Sequence, residues 1–151
     1  YTTADGWALD TFVLATQEEA RPRDQMAILE HRLSEAIAKP QAMVSEPVHC
    51  RRRLPRMVRH FGFPPQVTLT PDETGTRHIL TVVALDEPGV LLAIVTVLAQ
   101  FQITVHLACI HTAGERIEDA FVISGPALDH PARQSAVIQA VTDKITAQCA
   151  P

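Results

Sequence analysis

Four consecutive residues, Asp86-Glu87-Pro88-Gly89, have the types and order that suit capture of a small zwitterion. They stand between an apolar run ending at Leu85 and another starting at Val90. With a strand before and a helix after, this loop lies at a helix N-terminus. Unpaired N–H groups and the positive end of the helix dipole gather there and favour a carboxylate. Gly89 lets backbone come close to a ligand, and Asp86 offers a partner to an ammonium group. The same residues also suit a plain strand–helix turn in which Asp86 only caps the helix.

Other constellations point elsewhere. Asp10 and Asp119 precede Phe12 and Phe121 by two positions, which in a strand puts acid and ring on one side. A carboxylate on a core-facing side needs donors. Backbone of the adjacent turn is the nearest source, so Asp10 and Asp119 read as structural residues beside the turn glycines Gly6 and Gly114. Ligand contact is the alternative. His106, Cys109 and His111 resemble a metal set, but strict alternation turns His106 away from the other two. Two ligands are too few for a closed zinc site, so no metal is assigned. In His49-Cys50 adjacent side chains diverge and no orienting acid is identifiable. Arg51, Arg52, Arg53, Arg56 and Arg59 suit a phosphate or an acidic surface, or equally a solvated linker paired within the protein. Trp7, at a turn tip, reads as a packing or interface residue.

The elements that position these residues follow from periodicity. Ile79 to Leu85 is a near-continuous apolar run, as in a central strand. Leu91, Ile94, Val95, Leu98 and Phe101 recur at helical spacing. The run is apolar almost all round, which predicts a helix over 90–101 covered on both sides. Ile103 to Ile110 reads as a strand with Ile103, Val105, Leu107 and Cys109 on one face. The turn Ala113-Gly114-Glu115 returns it as an antiparallel strand over 117–124. Asp129 or His130 caps a last helix carrying Val137, Ile138, Val141 and Ile145. Upstream, Val67 and Leu69 mark a short strand, and the turn Asp72-Glu73-Thr74-Gly75 folds it back on 79–85. Strand, helix, strand, strand, helix lacks one closing strand, and residues 67–70 are the candidate to fill that edge.

Part of this pattern occurs twice. A glycine turn followed by Asp-x-Phe-Val and an apolar residue appears at Gly6 to Leu14 and again at Gly114 to Ile123. After the first copy, Met26, Leu29, Leu33 and Ile37 predict a helix over 24–38 that Lys39-Pro40 ends. The first copy has almost nothing before it. The reading is therefore a second half of a first domain over 1–39, a basic Pro/Arg-rich linker over 40–65 and a fuller domain over 66–149. The opening half of the first domain, and any catalytic part of a parent protein, are expected upstream of Tyr1.

Composition narrows the function classes. A net charge of −4 across 151 residues gives no global attraction to nucleic acid, and 5% aromatics weakens base stacking. The longest apolar stretch, Val90 to Ala99, is shorter than the ~20 residues of a membrane span. Three cysteines, Cys50, Cys109 and Cys149, show no paired spacing, which suits a reducing, cytoplasmic setting.

Taken in order, the strand, the Asp86-to-Gly89 loop, the apolar helix and Gly114-Glu115-Arg116-Ile117-Glu118-Asp119-Ala120-Phe121 resemble the ACT regulatory domain. The tandem, with Asp5-Gly6, Asp10-Thr11-Phe12, Ala84 to Leu91 and His111 to Phe121, is similar to the C-terminus of the bacterial bifunctional uridylyltransferase/uridylyl-removing enzymes. The resemblance covers nearly the whole chain. It implies an α+β fold of ferredoxin-like ACT domains (βαββαβ), one essentially complete repeat plus the second half of another. It implies an amino-acid sensor, with glutamine as ligand, in an enzyme that modifies PII nitrogen-signalling proteins. The ligand would meet Asp86, Glu87, Pro88, Gly89, Val90 and Leu91. Backbone near His106 and Ala108 of a neighbouring repeat would serve its amide. The family's nucleotidyltransferase and phosphohydrolase motifs are absent here, so catalysis, magnesium and UTP would belong to domains upstream of Tyr1. Other ACT repeats, those domains and PII are the implied partners; nucleic acid and membrane are not. Two alternatives stay open: an ACT-like dimerisation module that binds no metabolite, and the ACT tail of another amino-acid-regulated enzyme.

Overall fold

Strand β1 (Gln66–Pro71) forms one edge of an antiparallel sheet. The computed structural model describes Leu9, Thr11, residues 22–39 and residues 63–149. Asp72 and Gly75 turn β1 back onto β2 (His78–Leu85), and the two pair antiparallel with Val67 opposite Val82 and Leu69 opposite Leu80. The chain then forms α2 (Val90–Gln100), β3 (Thr104–Cys109), the two-residue β4 (Thr112–Ala113) and β5 (Arg116–Ser124). A 3₁₀ turn (Pro126–Leu128) leads into α3 (Pro131–Cys149). The antiparallel sheet has the order β1-β2-β5-β3, with β4 on the end of β5. Residues 66–71 thus fill the edge that a closing strand would take, and the fold is α+β and ferredoxin-like.

Alternation decides which face is covered. Leu80, Val82 and Ala84 on β2 and Ile117, Phe121 and Ile123 on β5 share one core with Ile94 and Leu98 of α2 and Val137, Val141 and Ile145 of α3. Helices α2 and α3 therefore lie on one face of this sheet. That overturns the expectation that α2 is covered on both sides. Val90, Ala93, Ile94, Val97 and Leu98 are buried, whereas Leu91, Leu92 and Val95 are 38–40% exposed. A helix in an outer layer has the sheet on one side and nothing required on the other.

Helix α2 ends in a tight reversal. Gln102 takes a positive φ of 55°, its N–H bonds to Ala99 O, and the Ile103 N–H bonds to Leu98 O at 2.9 Å. This paired 5→2 and 6→1 pattern normally recruits glycine. It delivers Ile103 into the core at the head of β3.

The chain divides into two compact units, of which Leu9–Pro47 is one. It contains α1 (Pro22–Ala38), which starts at Pro22 rather than Asp24 because proline is well tolerated at the first helical position. Its stripe of Met26, Leu29, Leu33 and Ile37 is 46–72% exposed. Of the hairpin expected over residues 1–15, Leu9 and Thr11 are described, and both are exposed and lie in no strand. Gly6, Asp10, Trp7, His49, Cys50 and the arginines from Arg51 to Arg59 lie outside the described residues. Among the described residues no helix is long and apolar enough to cross a membrane.

Candidate functional site

The loop Asp86–Gly89 leaves the end of β2 and opens α2. The Glu87 N–H donates to Leu85 O at 2.9 Å, a three-residue turn centred on Asp86. The Asp86 N–H donates to Glu115 O at 2.9 Å, which ties the loop to the turn between β4 and β5. Gly89 is the helix N-cap, with φ 92° and ψ −4°. That left-handed conformation is strained for any residue with a Cβ. All four loop residues are half-buried.

Helix geometry then sets the electrostatics. The Ala93 N–H reaches Gly89 O at 2.8 Å as the first intrahelical bond, and the Val90 N–H turns back to Glu87 O at 3.2 Å. The amides of Leu91 and Leu92 precede the first α-helical bond and have no intrahelical acceptor. The first turn holds no acidic residue to neutralise them. No side-chain hydrogen bond caps this helix end, so the reading of Asp86 as a simple cap does not hold. The N-cap falls three residues later, on a glycine.

Asp119 stands beside this end of the sheet. It is 1% exposed and lies opposite Val82 on β2. Its Oδ1 accepts the backbone N–H of His111 at 3.2 Å. Burial pushes its carboxyl above the usual range; the His111 N–H pulls against that, and the negative charge of Asp86 pushes the same way as burial. Asp119 therefore feels the negative charge of the loop residue Asp86. Gly114, φ 67°, takes the first central position of the two-residue turn from β4 to β5, where a positive φ suits the twist of a hairpin.

A residue from the far end of the chain also reaches the loop. The Gln148 Nε2, on the last turn of α3, donates to Pro88 O at 3.0 Å. A Cβ built on Gly89 would stand 2.7 Å from that same nitrogen.

His106 and Ala108 are not brought to this loop within the unit, because β5 lies between β2 and β3. The register of β3 shifts between Val105, opposite Ile123, and Leu107, opposite Val122. His106 is the extra residue of that β-bulge. It turns to the open face of the sheet, where its Nε2 lies 2.7 Å from Ser124 Oγ. Strict alternation therefore fails here. Val105 and Leu107 fall on opposite faces, and His106 shares a face with Cys109. Among the described residues no three His, Cys, Asp or Glu side chains are grouped as metal ligands would be.

Comparison with known proteins places this arrangement. The chain is 41% identical over 150 residues to the bifunctional uridylyltransferase/uridylyl-removing enzyme of Bordetella pertussis, a match to 96% of this chain and 17% of that protein. The enzyme of the same name from Aromatoleum aromaticum is 42% identical over 134 residues, and that from Bordetella avium 38% over 152. No family model matches the chain. This chain is homologous to the C-terminal region of the bifunctional uridylyltransferase/uridylyl-removing enzymes. It spans 15–18% of the length of these curated relatives.

Two features of this uridylyltransferase homologue escape sequence reading. Nothing in a linear pattern pairs Gln148 with a loop 60 residues away. The bulge at His106 has no glycine or proline to announce it. The apolar–polar alternation simply continues through it.

Proposed function

We propose that this chain is the amino-acid-sensing ACT region of a bifunctional uridylyltransferase/uridylyl-removing enzyme that modifies PII proteins, and that glutamine is its ligand. The carrying observation is the loop at the start of α2, in a chain that matches those enzymes over 96% of its length. The ligand carboxylate sits against the Leu91 and Leu92 amides, where the dipole favours negative charge. Its ammonium sits by Asp86. A cation there also relieves the repulsion that Asp86 exerts on Asp119. The ligand's side-chain amide needs paired donors and acceptors, because leaving it unpaired would cost as much as the contact returns. Backbone near His106 and Ala108 of a neighbouring repeat serves that purpose in this proposal. Magnesium, UTP and the transfer chemistry belong to other regions of the parent enzyme, and the setting is the cytoplasm.

The test is uridylylation of PII by the parent enzyme carrying this region, followed as glutamine is raised. The expected result is a response in the wild type that is lost in Gly89→Val. An unaltered glutamine response in that variant removes the loop from consideration.

A second reading rests on a separate observation. Leu91, Leu92 and Val95 on the outer side of α2 are exposed, which suits a module that pairs with another ACT repeat and binds no metabolite. Sedimentation of the 151-residue chain with and without glutamine separates the two. A pure pairing module associates identically in both conditions and gains no thermal stability from the amino acid.

A further inference from the structure

The amide of Gln148 lies where an incoming ligand has to approach. Its Nε2 donates to Pro88 O at 3.0 Å. The same nitrogen is 2.7 Å, and the Cδ 3.2 Å, from the point where a Cβ on Gly89 would stand. The open side of Gly89, which gives a ligand access to the backbone, is therefore occupied by the protein's own side chain. Gln148 sits on the last turn of α3 and is exposed. Nothing holds it there among the described residues except this one bond. A long side chain held at its tip by one exposed hydrogen bond is a removable cover, because such a bond contributes little net free energy.

We infer that Gln148 is a gate on the Asp86–Gly89 loop: its carboxamide closes the loop in the unliganded chain and must swing away before an amino acid can bind. This inference rests on the proposed ligand site. The cover is a carboxamide, the same group that ends a glutamine side chain, so the closed loop holds an internal stand-in of the ligand's own chemistry. The closed form also couples the loop to α3. Binding frees the last turn of that helix, and the vacated Pro88 carbonyl becomes available to a donor on the ligand. A binding-competent form that is only partly populated lowers apparent affinity by that fraction. For an ordinary exposed hydrogen bond the penalty is about two- to tenfold.

The test compares the 151-residue chain with Gln148→Ala and Gln148→Glu. Both variants lose the amide donor, and the second keeps the side chain's length. Hydrogen exchange without ligand reads the latch directly. The hydrogen-bonded amides of Glu87, Val90 and Ala93 should exchange about two- to tenfold faster in both variants, while those of β2 and β5 stay unchanged as evidence of an intact fold. Calorimetric titration with L-glutamine reads the gate, and Gln148→Ala should bind about two- to tenfold more tightly. Unchanged exchange overturns the latch. Weaker binding by Gln148→Ala overturns the gate and makes Gln148 a ligand contact. If the wild type and Gln148→Ala both fail to bind glutamine while exchange quickens, the ligand reading is overturned and the latch stands.

Discussion

Two turns of this chain share a formula and behave differently. Asp72-Glu73-Thr74-Gly75 and Asp86-Glu87-Pro88-Gly89 differ only at their third residue. In the first, Asp72 closes on itself: its Oδ1 accepts the N–H groups of Thr76 and Arg77, each at 3.1 Å, and its Oδ2 accepts the Thr74 hydroxyl at 2.9 Å. Gly75 has φ 68°, and a Cβ there would meet nothing within 4 Å. In the second, proline removes both the hydroxyl and an N–H, and a helix starts where the first turn returns to a strand. The Leu91 and Leu92 amides of that helix have no intrahelical acceptor, and Gly89 has Gln148 against it. A turn that satisfies its own polar groups is a connector. One that opens a helix has that helix's first amides beside it, and those can hold something.

Substitution at the two glycines gives the largest contrast. Both positive-φ positions strain a residue with a Cβ by about 1–2 kcal/mol. Gly75→Val should cost that and nothing more. Gly89→Val must also expel Gln148 and forfeit its bond to Pro88, adding about 0.5–1.5 kcal/mol. Urea unfolding of both variants measures the difference, and equal losses would mean that the two glycines do the same job.

The acids of the two regions should respond to pH in opposite senses. Asp119 has its carboxyl raised from the ordinary value of 3.8, chiefly by burial. Between 3.8 and that higher value the folded state holds the extra proton, so stability falls as pH rises through this window. Asp72 is the reverse. Slight desolvation raises its carboxyl, but the hydrogen bonds from Arg77, Thr74, Thr76 and Gly75 outweigh that and leave it below 3.8. Its contribution is present above 3.8 and is lost as pH falls through the lowered value. Unfolding midpoints of Asp119→Asn and Asp72→Asn across pH ~2 to ~6, each subtracted from wild type, should therefore slope in opposite directions.

A smaller effect isolates the link between the loop and β5. Asp86→Asn removes the negative charge that raises the Asp119 carboxyl. Carboxyl NMR titration should find Asp119 ionising at lower pH in that variant, while Asp72 titrates as before. No movement of Asp119 would break the electrostatic connection between loop and strand.

What could be read from the sequence depends on the range of the interaction. The β1–β2 hairpin was legible because both strands alternate and a glycine turn separates them, and β1 takes the free edge that the missing closing strand leaves. The two core helices were legible from their apolar spacing. The exposed flank of α2 was not, because a run that is apolar all round carries no information about which side the sheet takes. The β3 faces were misread because one bulged residue at His106 inverts the parity of everything after Val105. At the loop, residue types suggested an anion-facing helix end. They did not suggest that Gln148 covers it, since that contact depends on where α3 ends.

The central proposal is that Asp86–Gly89 holds an amino acid and Asp72–Gly75 does not. The most direct test is an NMR titration of the 151-residue chain with L-glutamine, following backbone amides in both turns. Saturable shifts should concentrate at residues 86–92, with Leu91 and Leu92 among the largest, and none should rise beyond noise at 72–77. Binding that moves neither stretch, or that moves both equally, would contradict the claim.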